Sequence, residues 1–205
     1  SKVDEIAFGE QKTDISFGRK TDGSSVWGYF THPTPGSSNQ ASTWYEDFVY
    51  AAPVFSQSGG FFDQPLSIHV QNLSGQGVLR YSTNGADPNE SSPEWSQPLA
   101  LTTTTVVKAR IFVANRIPGP VVTHTYFIGE QLQQRGLPVL SLSTHPDYFF
   151  APDSGLYVQT FKPSWEYPLH IEMYQPDGIL AFHHDAGVQV GGENSWILPE
   201  KLLNI

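Results

Sequence analysis

Lys201 is a fixed cation of the kind that phosphoryl transfer uses to hold nucleotide phosphates. The same chemistry needs metal-binding carboxylates to neutralise the developing charge, and no acidic set near Lys201 supplies them. Its neighbour Glu200 weakens any pull on phosphate, so a solvated lysine is the plainer reading. His183, His184 and Asp185 offer metal-ligand chemistry. On a strand, successive side chains point to opposite faces, so both histidines could not reach one ion. A transition-metal site also wants three or four convergent ligands, and a turn is expected here instead. Asp87, Asn89, Glu90 and Glu94 share one polar loop. Calcium takes six to eight oxygens and its helix-loop-helix site has a fixed spacing that these residues lack. Asp87-Pro88 is better read as a turn former. Trp44, Tyr45, Trp95 and Trp165 could stack on sugar rings, though Trp and Tyr bury most of their area in many cores. Glu166 with Glu172, or Asp147 with Asp153, could do acid–base work, but their spacing fixes no separation in space. No nucleophile-elbow or phosphate-cradling glycine motif is present. No residue is therefore assigned a catalytic or metal-ligating role.

Composition narrows the partners. A net charge of −9 with pI ≈ 5.1 opposes nucleic acid and anionic membranes alike. No apolar run approaches the roughly 20 residues that cross a bilayer. The chain has no Cys, which excludes disulfides, thiolate metal sites and Cys nucleophiles without naming a compartment. It is rich in aromatics, Gly and Pro, and can bury a core. Ser1, Lys2, Val3 and Asp4 read as mid-chain and not as a signal peptide, which is compatible with a leader removed from a longer protein.

Three textures follow one another along the chain. In residues 1–39, Asp22-Gly23 sits between two short apolar runs and predicts a hairpin, ended by Pro33, Pro35 and Gly36. Residues 40–52 read as a linker. In residues 53–128 the apolar residues alternate: Leu66, Ile68 and Val70; Leu79 and Tyr81; Val107, Ala109, Ile111 and Val113; then Val122, His124 and Tyr126. Gly/Pro-rich turns separate these runs, which predicts an immunoglobulin-like β-sandwich with Ile111 in its core. Residues 129–136 suggest a short helix. In residues 137–205, Val139, Leu140 and Leu142 open a strand, and Leu169, Ile171 and Met173 alternate with His170, Glu172 and Tyr174. Pro176-Asp177-Gly178 is a turn, and 179–182 and 187–190 are the next strands. Ile197, Leu198, Leu202, Leu203 and Ile205 have no later element to cover them, so this segment is expected to be cut short and to pack on the sandwich or on a second copy.

Three family resemblances follow from particular residues. Ser16-Phe17-Gly18-Arg19, Asp22-Gly23, Trp27 and the Pro33 to Asn39 run resemble the C-terminal end of a bacterial lamin-tail-like domain. Pro53 to Ser56, Gly59 to Phe62, Arg80 to Gly85, Asp87-Pro88, Val106 to Arg110 and Thr125-Tyr126 resemble the chitobiase/hexosaminidase C-terminal type of sandwich, with Asn84 where Asp is usual and Trp95 where Tyr is usual. Leu137 to Val139, Tyr148 to Phe150, Asp153 to Val158, Trp165-Glu166 and Ala186 to Val190 resemble the beginning of the spore-coat CotH kinase-like family. That family's following motif keeps Ser195, Pro199 and Lys201 here, whereas Trp196 and Glu200 depart from it.

The expectation is a mainly β chain with a central immunoglobulin-like sandwich, a flanking N-terminal hairpin and a C-terminal β-rich segment. The resemblances imply an extracytoplasmic, secreted or cell-surface bacterial protein in which this region is a non-catalytic accessory or spacer. Two alternatives stand beside it: the N-terminal part of an atypical ATP-dependent kinase, and a carbohydrate-binding module. The CotH-like resemblance implies nucleotide contact by Lys201 and Ser195, with ATP and a divalent metal as cofactors of the full-length protein and none required by this region alone. The carbohydrate reading rests on Trp44, Trp95 and Trp165. A cell-surface protein or a carbohydrate is the expected partner.

Overall fold

The computed structural model describes residues 5–130, 136–158, 164–192 and 200–205. The chain is mainly β. The N-terminal region is a three-stranded sheet, order β1 (Ser16–Arg19), β2 (Trp27–Phe30), β3 (Trp44–Tyr45). The predicted hairpin is β1–β2, in antiparallel register Ser16↔Phe30 to Arg19↔Trp27. Its loop turns at Gly23, whose φ of 74° suits glycine. Asn39 ties the following segment back: its amide donates to the Arg19 carbonyl at 2.8 Å, and its backbone N–H to Asp22 Oδ1 at 3.1 Å.

Residues 40–52, expected as a linker, are built into the fold. They carry β3, which pairs with β2, and β4 (Asp47–Phe48), which pairs in parallel with β12 (Arg116–Ile117). Phe48 and Val49 are buried. The linker expectation followed the polar run 37–43 and passed over Trp44, Tyr45, Phe48 and Val49, which form two short strands, one of them with a partner far along the sequence.

The sandwich centres on a four-stranded sheet, order β6 (Gly60–Phe62), β13 (Val122–Ile128), β11 (Thr105–Phe112), β9 (Val78–Ser82). Two antiparallel pairs contribute to its core: β7 (Leu66–Ile68) with β10 (Leu99–Leu101), and β5 (Val54–Phe55) with β8 (Val70–Gln71). Val107, Ala109 and Ile111 lie on one face of β11 and are wholly buried, as the period of two predicts. They divide between two adjoining clusters, one with Val49, Val70 and Leu79, the other with Ile68, Leu101, Tyr126 and Ile128. Trp95 and Phe55 pack against both. No α-helix interrupts residues 53–128.

The C-terminal segment is a four-stranded antiparallel sheet in strand order: β14 (Val139–Ser143), β15 (Tyr167–Tyr174), β16 (Leu180–Gly191), β17 (Leu202–Asn204). The two strands expected in 179–190 are one continuous strand. His183, His184 and Asp185 lie inside it and not in a turn. Cross-strand pairing places His183 opposite Glu172 and His184 opposite Ile171, so the two histidines face opposite sides. A one-turn helix, α1 (Pro146–Phe150), follows β14; the sequence reading passed over it. Its signal was legible: His145 caps it by accepting from the Asp147 N–H, with Pro at its first turn. The short helix expected in 129–136 falls largely on residues 131–135, outside the described residues.

The sheet's polar face is the one buried against the sandwich, and its apolar face is covered only around Leu169 and Val188. Ser141, Ser143, His170, Glu172 and Tyr174 are buried, whereas Leu140 and Leu142 are 52% and 40% exposed. The reason is the surface against which this face packs, described next.

Candidate functional site

The sequence-derived candidates lie apart. Lys201 is half-buried immediately before β17; Ser195, with Trp196, Ile197, Leu198 and Pro199, lies outside the described residues. Trp44 sits across Gly28, where a side chain would collide with its indole, and Lys20 Nζ stands 4.3 Å from its ring centroid. Trp95 packs edge-on against Tyr81 at 4.9 Å inside the sandwich core. Trp165 packs on the Leu156–Leu169–Val188–Val190 cluster. In the acidic loop, Asp87 pairs with Lys108 at 2.8 Å, Glu94 with Arg80 at 3.1 Å, and Asn89 Oδ1 accepts from the Ser91 N–H. Glu166 accepts from Gln189 at 2.7 Å, while Glu172 is engaged elsewhere. Among the described residues no group of three or more His, Asp or Glu is placed to hold a metal ion.

The structure instead assembles functional groups where the C-terminal sheet meets β13. Alternation along β13 sends Tyr126 and Ile128 into the sandwich core and leaves Thr123 and Thr125 on the other face, yet both threonines are buried. Thr125 Oγ1 lies 2.7 Å from Ser141 Oγ and donates to Glu172 Oε2. Tyr174 donates its hydroxyl to Glu172 Oε1 at 2.7 Å and approaches the Thr125 carbonyl at 3.3 Å. Glu172 is 1% exposed, so these donors replace the water that its carboxyl group has lost. Burial, reinforced by Glu172, pushes the Tyr174 phenol well above its ordinary value, which keeps it a donor. Burial likewise raises Tyr126, whose hydroxyl donates to the Gln57 carbonyl at 2.7 Å.

Histidines border this network. His170 Nδ1 lies 2.6 Å from Asp185 Oδ1 across β15–β16, and its ring centroid is 5.8 Å from that of His183. His124 meets Phe55 edge-on at 4.8 Å. Burial first, then the nearby His183 and His170, lowers the His124 pKa to about 4. Glu172 Oε1 is 4.0 Å from His124 Nδ1, but that attraction does not offset the desolvation.

Two glycines let the units approach. A Cβ on Gly59 would lie 2.5 Å from the Tyr174 hydroxyl and 2.6 Å from the Thr125 carbonyl oxygen. A Cβ on Gly85 would meet the Thr144 carbonyl oxygen, and Gly85 also has φ +85°.

Beside the network a cleft of about 970 Å³ opens between the two units. The 81–87 and 89–93 segments form its sandwich wall; Thr144, His145, Tyr148 and the Pro168–His170 stretch form the other, with Asp185. Lys108, almost wholly buried, reaches it paired with Asp87. The sequence reading missed this junction. The run His170, Glu172, Tyr174 reads in the sequence as an ordinary solvated face, so it carried no signal of the junction.

A family model described as Fn3 associated matches residues 63–126, the body of the sandwich. No curated protein and no solved structure matches the chain.

Proposed function

We propose that this chain is a non-catalytic accessory region of a multidomain bacterial surface or secreted protein, in which the sandwich serves as a fixed dock for the C-terminal sheet. The observation that carries this reading is the closed junction: Thr125, Ser141, Glu172 and Tyr174 hydrogen-bond across it, and Gly59 and Gly85 admit the opposing chain. A hinged pair of domains would meet through a hydrated interface with water between the polar groups. Here Thr125, Ser141, Glu172 and Tyr174 are buried and meet each other directly. The Fn3-associated match over 63–126 fits such an architecture. The finer reading, a lamin-tail-like end followed by a chitobiase-type sandwich and a CotH-like beginning, rests on the motifs quoted above, and so does the extracytoplasmic location.

The kinase-part reading rests on the CotH-like motifs quoted above and on Lys201, which stands immediately before β17. One pair of assays separates the two. The chain is expected to unfold in a single transition by near-UV circular dichroism and by tryptophan fluorescence, and to release no phosphate from ATP with magnesium or manganese. Two separated unfolding transitions would remove the fixed-dock reading. ATP turnover abolished by Lys201→Ala would replace it with the kinase reading.

A further inference from the structure

We propose that the cleft between the sandwich and the C-terminal sheet is a binding site for a neutral oligosaccharide. The argument starts with its hydrogen-bonding groups. Asn84 spends its Oδ1 on the Ala86 N–H at 3.2 Å, and Asn89 spends its Oδ1 on Ser91. Each side-chain NH2 is left without a protein partner among the described residues, and both residues line the cleft. The two carboxylates are also half used. Asp87 Oδ1 holds Lys108 Nζ at 2.8 Å and Asp185 Oδ1 meets His170 Nδ1 at 2.6 Å, so each has an oxygen to spare. Both side chains reach water. Free amide donors beside free carboxylate acceptors match sugar hydroxyls, which donate and accept at once.

An aromatic surface completes the set. Tyr148 lines the cleft and stacks on Tyr167 at 4.6 Å with 3° between planes. Tyr167 takes one face of the ring and holds it still, and a ring fixed at the lining is a surface on which a sugar's C–H groups can pack. His145 stands tilted beside it at 5.6 Å.

The same features disfavour other ligands. Anions meet Asp87 and Asp185 in a chain of net charge −9. A cation finds the Asp87 charge offset by the Lys108 ammonium at 2.8 Å, which leaves Asp185, among the described residues, as the one carboxylate of the lining without a lysine or arginine partner. A greasy ligand would find only Val121 and Leu169 as large aliphatic residues in the lining. The volume of about 970 Å³ is at the large end for small-molecule sites and accommodates several sugar rings.

The test titrates the 15N-labelled whole chain with cellohexaose, chitohexaose, mannohexaose and xylohexaose. Polygalacturonate and a lysine-rich peptide serve as the anionic and cationic arms. At least one neutral probe should shift resonances of Asn84, Asn89 and Tyr148. Asn84→Asp keeps the Oδ1 turn and removes the donor; Asp185→Asn keeps the acceptor towards His170 and removes the charge. Each should weaken binding about fivefold, the effect of one hydrogen bond, and Tyr148→Leu should weaken it further. The proposal fails if none of the four neutral probes binds, if only the charged probes bind, or if binding survives Asn84→Asp and Asp185→Asn unchanged. The two polar variants decide the matter if Tyr148→Leu does not fold.

Discussion

Thr125 of β13 and Ser141 of β14 meet hydroxyl to hydroxyl at 2.7 Å, both buried, in strands that belong to different sheets. Thr125 is the hub, because its side chain also engages Glu172 and its carbonyl receives Tyr174. Thr125→Val keeps the shape and removes the hydroxyl. It should destabilise the chain by about 1–3 kcal/mol, since buried Glu172 and Ser141 both lose a partner. Adding Ser141→Ala should cost less in the Thr125→Val background than in the wild type, with coupling of about 0.5–3 kcal/mol in urea denaturation. Strict additivity would show that the pair does not act as a unit.

Gly59 is a position where bulk is forbidden and backbone conformation is not the reason. Gly59→Ala should destabilise by about 1–3 kcal/mol, because its methyl would press on the Tyr174 hydroxyl and on Thr125 backbone atoms. Tyr174→Phe removes the first clash and leaves the second, so the double variant should recover only part of the loss. Full recovery would mean that the backbone of β13 yields freely.

Acid should weaken the fold through His124. Its folded pKa is depressed from 6.5 to about 4, so between those values the unfolded chain takes up a proton that the folded chain refuses. Stability contributed by the neutral buried ring is complete above about pH 6.5. It falls as pH drops towards 4, by at most on the order of 3 kcal/mol. The wild type minus His124→Gln difference in denaturation midpoint, measured from pH 7.5 to 4, isolates this group. A flat difference across that window would refute the assignment.

Ile111 is wholly buried on the inner face of β11. Ile111→Ala should cost about 2–5 kcal/mol in chemical denaturation. A loss below about 0.5 kcal/mol would mean that the site collapses around the missing atoms without resistance.

The sandwich was legible in the sequence because its inner surfaces are apolar, so alternation identifies both the strands and the buried side. Val107, Ala109 and Ile111 illustrate this. In β14 and β15 the alternation was equally clear, but it marks only that two faces differ. Hydropathy would turn Leu140, Leu142, Ile171 and Met173 towards the sandwich, yet Ile171 packs with Leu169 and Val188 on the far face and Leu140 and Leu142 stay exposed. The sandwich surface that receives this sheet carries Thr123 and Thr125, and it selects the hydroxyl and carboxyl face instead. That selection is a tertiary fact, and no single strand encodes it. The cleft was hidden for the same reason: Asn84, Tyr148 and Asp185 are brought to one opening only by the docking of two units. The tryptophans, by contrast, drew attention as sugar platforms, while Trp44 and Trp95 are engaged by neighbouring groups.

The parallel pairing of β4 with β12 bears on the order in which the chain acquires structure. Glu46 and its partner Arg116 are 70 residues apart, and the strands they flank meet side by side. As the polypeptide leaves the ribosome, β1, β2 and β3 can pair early, since their partners are local. Phe48 meets Tyr29 early, but Val49 packs with Ala109 and Ile111, and its strand gains its partner only when Arg116 and Ile117 have been made; closing so long a loop is slow. The nascent N-terminal region therefore carries an unpaired strand edge and an uncovered Val49 through most of the synthesis of the sandwich, and the edge is sealed near the end of that synthesis by a strand of two residues.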